Sequence, residues 1–259
     1  MTILYDQSWP GLLSAIFETY RLKLADRVSI VAENEYQDQL FGQPLRVDTN
    51  PERAARIIRA LNSKRKGLSK LLWRGFLSED AQRERILLHT IRRIFKSGPD
   101  VVDDLTDDLI HRLRRLDKQM GREIHRMHAF VRFQQTPDDL YVSLIEPDFD
   151  VLPLAHQHFV DRYAIQDWLI YDFKRKYGIH WDKEQQKVSY VCLENNSDEG
   201  QRGPARQLSK DVLATGETQY QELWRTYFHA VDIPERRNLK LHRQHVPRRY
   251  WKYLIEKQV

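Results

Sequence analysis

The chain has 259 residues, of which 41% are hydrophobic and 31% charged, a composition typical of a soluble globular protein. The longest stretch without a charged side chain runs from Gln7 to Phe17 and is too short for a membrane span, which needs about 20 apolar residues. The only cysteine, Cys192, excludes an intramolecular disulfide and an iron–sulfur cluster built by this chain alone, which normally takes about three or four thiolates. We therefore expect a cytoplasmic protein with no membrane association, no cofactor and no metal.

Charge is concentrated in two segments, residues 111–132 and 235–259. Together they contain fifteen Arg and Lys against four Asp and Glu, a net charge of +11, whereas the whole chain has a net charge of +5. Such segregation is typical of a surface that binds a polyanion. The candidate nucleic-acid-binding residues are Arg112, Arg115, Arg122, Arg126, Arg132, Arg175, Arg237, Lys240, Arg243, Arg248, Arg249, Trp251 and Lys252.

The first hundred residues favour helices with a few short strands. Asn50, Pro51 and Glu52 are a typical helix start, because they supply a capping side chain, a proline at the first position and an acid in the first turn. The predicted strands are 2–5, 28–31 and 44–47. Two predicted helices begin near Ser8 and Asn50, and two more cover 68–77 and 81–95. Residues 1–100 are therefore expected to form a mainly helical region.

The remaining residues, 101–259, predict a helix followed by a sheet. Leucines at helical spacing predict a helix over 103–121, and alternation of apolar and polar residues predicts a strand over 128–135. Further elements are strands at 141–146, 168–173, 178–181 and 187–193, a helix at 151–163, a polar loop at 194–207 and a last helix carrying Tyr220, Leu223 and Trp224. The fold class is thus α+β, with an antiparallel sheet of about five strands in the order β-β-α-β-β-β, a C-terminal helix and a basic tail.

The segment between the predicted helix and strand, residues 122–127, is the candidate site for chemistry. His125 is able to act as an acid or base near neutral pH, and Glu123 is able to orient it. The competing interpretation is a structural junction in which Glu123 accepts a hydrogen bond from an arginine or histidine and the cluster is partly buried. We expect the structural role, in which case His125→Ala lowers stability by about 1–3 kcal/mol. The other histidines are also expected to be structural.

Five segments of the sequence resemble one bacterial family. They are YDQSWPGLLSAIFETY near the start, GREIHRMHAFVRFQ (121–134), IEPDFDVLPL (145–154), WLIYDFKRKYG (168–178) and RNLKLHRQHVPRRYWKYLIE (237–256). The family is labelled "probable DNA metabolism protein", or domain of unknown function 4130. One departure is Gln7, where the family has glycine. The resemblance implies a DNA context, since members are typically encoded beside a radical-SAM protein of DNA repair or modification, but it supplies no catalytic residues.

These observations predict a DNA-binding accessory or substrate-recruiting subunit for a radical-SAM DNA repair or modification enzyme, without catalytic activity of its own. Single-stranded or damaged DNA is an acceptable ligand, because extruded bases stack on tail aromatics such as Tyr250 or Trp251 if these are exposed. One alternative is a nuclease or glycosylase that uses Glu123 and His125. A second alternative is a protein-interaction scaffold.

Overall fold

The computed structural model describes residues 1–24, 28–37, 43–192, 213–214, 216–230 and 239–257, with the backbone alone for 227–230 and 239. The chain divides into two compact units, Met1–Gly121 and Arg122–Val259, whereas the sequence analysis divided it after residue 100. In the described part of the chain no helix has the length and apolarity needed to cross a membrane.

The first unit contains a sheet that the sequence did not predict. Strands β1 (Thr2–Tyr5), β2 (Ser29–Ala32) and β3 (Leu45–Arg46) pair in parallel in the order β2-β1-β3. The three predicted strands of this region therefore exist, but they form one parallel sheet rather than isolated extended segments. The central strand β1 is buried from Ile3 to Tyr5, which makes it the middle of this unit's core.

Local capping chemistry sets the helix starts in the first unit. The Ser8 hydroxyl accepts a hydrogen bond from the Gly11 amide at 2.9 Å, and the Asn50 side chain accepts one from the Arg53 amide at 3.0 Å. Both predicted starts are thereby confirmed. The helices are α1 (Trp9–Arg21), α2 (Pro51–Lys64), α3 (Leu68–Leu77) and α4 (Arg83–Ser97).

Helix α5 corrects the predicted boundary near residue 121. It runs without interruption over Asp108–Phe130, so the strand expected from residue 128 begins only at β4 (Gln134–Gln135). Gly121 does not end the helix. A Cβ at that position would lie 2.9 Å from Nη2 of Arg74, so the glycine makes room for this guanidinium. The alternation after residue 128 was misleading because the helical apolar stripe continues through Met120 to Met127.

After β4 the second unit continues with β5 (Tyr141–Ile145), α6 (Leu152–Arg162), β6 (Trp168–Asp172), β7 (Tyr177–Asp182) and β8 (Lys187–Val191). Its strands form a five-stranded mixed sheet in the order β4-β5-β6-β7-β8. Three pairings are antiparallel, but β5 and β6 are parallel, which corrects the expectation of an antiparallel sheet. The cause is helix α6, which lies between these two strands in the chain and returns the backbone to the same edge.

The C-terminal part of the second unit is helical. Helix α7 covers Glu217–Ala230 and helix α8 covers Leu239–His245, followed by 3₁₀ turns at Arg248–Tyr253 and Ile255–Lys257. The predicted helix before the tail is therefore present as α7. The predicted loop at 194–207 lies outside the described residues.

Candidate nucleic-acid interface

A buried carboxylate lies at the centre of the candidate interface in the second unit. Glu123, on α5, is 1% exposed and accepts four hydrogen bonds. The donors are the Asp148 amide at 3.0 Å, Arg126 at 3.2 Å, Arg249 at 2.9 Å and the Tyr250 hydroxyl. The prediction that Glu123 accepts a hydrogen bond from an arginine in a partly buried cluster is confirmed. We call these five residues the Glu123 cluster.

Burial and pairing fix the protonation states in the Glu123 cluster. Burial raises the pKa of the Tyr250 hydroxyl, and its hydrogen bond to the Glu123 carboxylate raises this pKa further. Burial alone would lower the pKa of Arg249, but the charge of Glu123 and the contact with Tyr250 outweigh it, so the pKa of Arg249 is raised. The guanidinium also lies 4.6 Å from the centre of the Tyr250 ring. Tyr250 therefore stays neutral and Arg249 stays charged at neutral pH.

A second ion pair joins the segment just after α5 to the C-terminal tail, and here the acid lies on the tail. Arg132 donates to Glu256 at 2.9 Å, and the Trp224 indole donates to the other oxygen of the same carboxylate at 2.9 Å. Glu123 belongs to the first basic segment and binds an arginine of the second; Glu256 belongs to the second and binds an arginine of the first. One acid of each basic segment thus helps to hold residues 122–132 and 248–257 together. We call the surface of these two ranges the joined basic surface.

Two tail residues anchor this surface beside the end of β5, and a further ion pair forms at the end of β6. Tyr253 donates to Glu146 at 3.1 Å, and Lys252 binds the same carboxylate. Arg175 binds the fully buried Asp172 at 2.7 Å. Burial raises the pKa of Asp172 despite the arginine beside it. These contacts position the tail and the turn after β6, so Lys252 and Arg175 are engaged within the protein.

The thirteen predicted nucleic-acid-binding residues fall into distinct groups. Six bind carboxylates of the chain: Arg112 binds Asp80, Arg126 and Arg249 bind Glu123, Arg132 binds Glu256, Arg175 binds Asp172, and Lys252 binds Glu146. Five are exposed and have no carboxylate partner among the described residues, namely Arg115, Arg122, Lys240, Arg243 and Arg248. Arg237 lies outside the described residues. Of the five exposed cations, Arg122 and Arg248 belong to the joined basic surface.

The aromatic residues of the tail are poorly placed for stacking on bases. Tyr250 is 2% exposed and bound to Glu123. Trp251 is half-buried, donates to the Val246 carbonyl at 3.0 Å and has the cationic groups of Arg248 and Lys257 over its ring, at 5.8 and 5.7 Å. Both rings are therefore used inside the protein.

The structure separates the two residues proposed for chemistry. Glu123 faces the buried cluster, whereas His125 is exposed and is not among the four hydrogen-bond donors to Glu123. His125 lines an open groove on another side of α5. In the described ranges no three His, Cys, Asp or Glu side chains come together as a metal site.

The sequence analysis did not predict Glu146, Asp148 and Asp172 as partners of this site. The segment IEPDFD (145–150) places three acids directly after a strand, and this was the available signal. What the sequence could not show is that these acids and backbone groups meet the basic tail more than a hundred residues later.

The fold and the site define an α+β protein with a basic surface held together by buried ion pairs. A family model described as domain of unknown function (DUF4130) matches residues 81–256, and the chain belongs to this family. The first 80 residues, with the parallel sheet of the first unit, lie outside that match. No curated protein matches the chain.

Proposed function

We propose that the chain is a DNA-binding accessory subunit that holds DNA on the joined basic surface for a catalytic partner. The observation that carries the proposal is the reciprocal pairing of Glu123 with Arg249 and of Glu256 with Arg132. It brings residues 122–132 and 248–257 together and engages the acid of each range in doing so. The remaining cations then act on one surface rather than on two separate ones.

The electrostatics of this surface suit a phosphate backbone. Arg122 and Arg248 are exposed without a carboxylate partner in the described part of the chain. The side chains of Arg126 and Arg249 keep 26% and 36% of their area exposed although both bind Glu123. Cations placed in this way bind phosphates independently of sequence, so we expect low sequence preference.

The partner we propose is a radical-SAM protein of DNA repair or modification, as the family resemblance implies. Such an enzyme needs an iron–sulfur cluster, and the single cysteine of this chain cannot supply its ligands. In this proposal the present chain binds the DNA substrate and the partner protein catalyses the reaction. Co-purification of the two proteins, followed by assay for DNA in the complex, tests this division.

The salt dependence of DNA binding tests the surface itself. We expect the affinity for a labelled oligonucleotide to fall steeply with salt, with a log–log slope of about −0.9 per neutralised phosphate on a duplex and −0.7 on a single strand. The double variant Arg122→Ala/Arg248→Ala should weaken binding and flatten the slope by about one per lost contact. The matched control is Lys66→Ala/Lys70→Ala, which removes two exposed cations of the first unit.

Two results would contradict the proposal. A flat salt response would remove the electrostatic argument and favour a protein-interaction scaffold. An equal loss of affinity in the control would show that net charge matters and the joined basic surface does not. The nuclease or glycosylase alternative has less support, because four hydrogen bonds occupy the Glu123 carboxylate and leave it poorly placed to act as a base.

A further inference from the structure

An open groove in the second unit combines histidines, an arginine and aromatic rings. It has a volume of about 740 Å³, within the usual range for small-molecule sites. We call it the histidine groove, and the residues that define it are His125 and His128 of α5, His158 and Arg162 of α6, and Tyr141 and Tyr163. All of them belong to the second unit.

The polar groups of the groove favour an anion. No carboxylate occurs among the described residues that line it, whereas three histidines and two arginines do. Arg162 is exposed, with its guanidinium carbon 5.7 Å from the centre of the Tyr163 ring. His125 is exposed as well and makes no hydrogen bond with its side chain among the described residues. The Arg162 Nε also donates to the Tyr163 hydroxyl at 3.3 Å, and the rest of its guanidinium, like the His125 ring, is open to a ligand.

A buried histidine nitrogen in the groove lacks a partner. The rings of His128 and His158 stack with their centres 4.0 Å apart, and Nε2 of His128 is buried without a hydrogen bond. A buried polar atom without a partner is unfavourable. In contrast to the Glu123 cluster, this part of the structure leaves a hydrogen-bonding nitrogen unsatisfied.

The apolar lining of the groove is aromatic. Phe133, Tyr141 and Tyr163 are half-buried, and Trp224 is 39% exposed. Aromatic rings bind planar bases by stacking, whatever the base. A metal ion fits less well, because two parallel stacked imidazoles do not direct their nitrogens at one point.

We propose that the histidine groove binds a single nucleotide, with its base against the aromatic rings and its phosphate on Arg162 and the histidines. The inference goes beyond the proposed function, since it depends on the groove's own residues and holds whether or not the joined basic surface binds DNA. The groove would also bind a base that has left the stack of a DNA strand. Tyr250 and Trp251 are less suited to this, because both make hydrogen bonds within the protein.

The binding test uses the purified full chain and four separate probes. They are deoxynucleoside 5′-monophosphates, the corresponding nucleosides, inorganic phosphate and ribose 5-phosphate, each titrated by calorimetry at about pH 6.5, near the ordinary pKa of histidine. We expect saturable binding of the nucleotides, and affinities at least about tenfold weaker for every probe that lacks the base or the phosphate. Phosphate that binds as tightly as the nucleotides would overturn the proposal, as would nucleotides that do not bind.

A matched pair of variants locates the binding. His125→Gln/Arg162→Gln changes two exposed groove residues and should weaken nucleotide binding at least about tenfold. The control His111→Gln/Arg59→Gln makes the same chemical changes at exposed positions of the first unit and should leave it unaltered. Because all four residues are exposed, we expect both variants to fold. An equal effect of both variants, or an effect of neither, would overturn the groove as the site.

A third variant tests the aromatic contribution, and oligonucleotide binding separates the two proposals. Tyr163→Leu should weaken the nucleotide and leave binding of inorganic phosphate unchanged; an unchanged nucleotide affinity would contradict stacking on this ring. Salt-dependent oligonucleotide binding that requires Arg122 and Arg248, without any nucleotide binding, would overturn the groove alone. Nucleotide binding that requires His125 and Arg162, without oligonucleotide binding, would overturn the joined basic surface alone.

Discussion

Two polar regions of the second unit take residues from the same helix, α5, and differ in how their polar atoms are satisfied. In the Glu123 cluster a carboxylate with 1% exposure carries four hydrogen bonds. In the histidine groove a buried imidazole nitrogen has none, and the side chains of His125 and Arg162 beside it are exposed. The Glu123 cluster therefore stabilises the fold. The histidine groove contains a hydrogen-bonding nitrogen that the chain does not satisfy, so it is the better candidate for a ligand site.

Helix geometry explains how neighbours in sequence serve such different regions. Residues two positions apart on an α-helix are separated by about 200° around its axis, so Glu123 and His125 face opposite sides. Met127, four positions after Glu123, is buried on the side of the cluster. His128, three positions after His125, lines the groove. The two regions therefore lie on two faces of one helix. Substitutions on the face of the Glu123 cluster should lower stability, whereas substitutions on the face of the groove should affect ligand binding.

The largest expected effect is on the cluster side. Glu123→Ala should lower the free energy of unfolding by about 3–5 kcal/mol, because it removes a buried carboxylate that accepts four hydrogen bonds, among them that of the buried Tyr250 hydroxyl. Urea unfolding measures this change. The control is Glu222→Ala on the exposed surface of α7, which should stay within about 0.5 kcal/mol of the parent protein. Similar stabilities for the two variants would mean that the cluster does not hold the segments together.

A smaller, acid-dependent effect is expected on the groove side. Burial lowers the pKa of His128, and the nearby His158 and His125 lower it further, while Arg132 and Arg162 line the same groove. Because the pKa of His128 is lower in the folded than in the unfolded state, the unfolded chain takes up the proton first as the pH falls. Stability is therefore complete above the ordinary histidine pKa of 6.5 and declines as the pH drops toward the lowered folded value.

The variant His128→Phe tests that linkage, because phenylalanine preserves a ring against His158 but does not titrate. We expect thermal unfolding of the parent protein to lose stability between about pH 7 and 5, and the variant to lose less over the same range. A nucleotide bound in the groove should reduce the parent's loss, since a phosphate favours the protonated imidazole. Parallel pH profiles for the two proteins would show that His128 does not carry the acid sensitivity.

Local chemistry predicted much of the fold. Ser8 and Asn50 mark helix starts correctly because a cap depends only on residues within one turn. The predicted end of α5 was wrong because it also depended on local signals, namely Gly121 and the alternation after residue 128. The helix continues because Gly121 lies against Arg74 and the buried stripe extends to Met127, and both are tertiary contacts.

The sequence predicted some residues of the candidate site but not how they pair. The sequence showed two basic segments and singled out Glu123, which does bind an arginine. It could not show that Glu123 meets Arg249 and that Glu256 meets Arg132, because such pairs depend on how the sheet and tail fold together. The histidine groove was missed since its residues come from separate helices and strands, and no spacing in the sequence relates His158 to His128.

The smallest expected effect on stability concerns His125 and separates the two faces most directly. The sequence analysis expected a structural role, with a loss of about 1–3 kcal/mol on truncation to alanine. The structure gives that role to Glu123, because His125 is exposed and its side chain makes no hydrogen bond among the described residues. We therefore expect His125→Ala to change the free energy of unfolding by no more than about 0.5 kcal/mol.

Met127→Ala on the buried face should lower the free energy of unfolding by about 2–5 kcal/mol in the same urea titration, because it opens a cavity. A loss for His125→Ala as large as that for Met127→Ala would restore the structural interpretation and remove His125 from the set of residues free to bind a ligand.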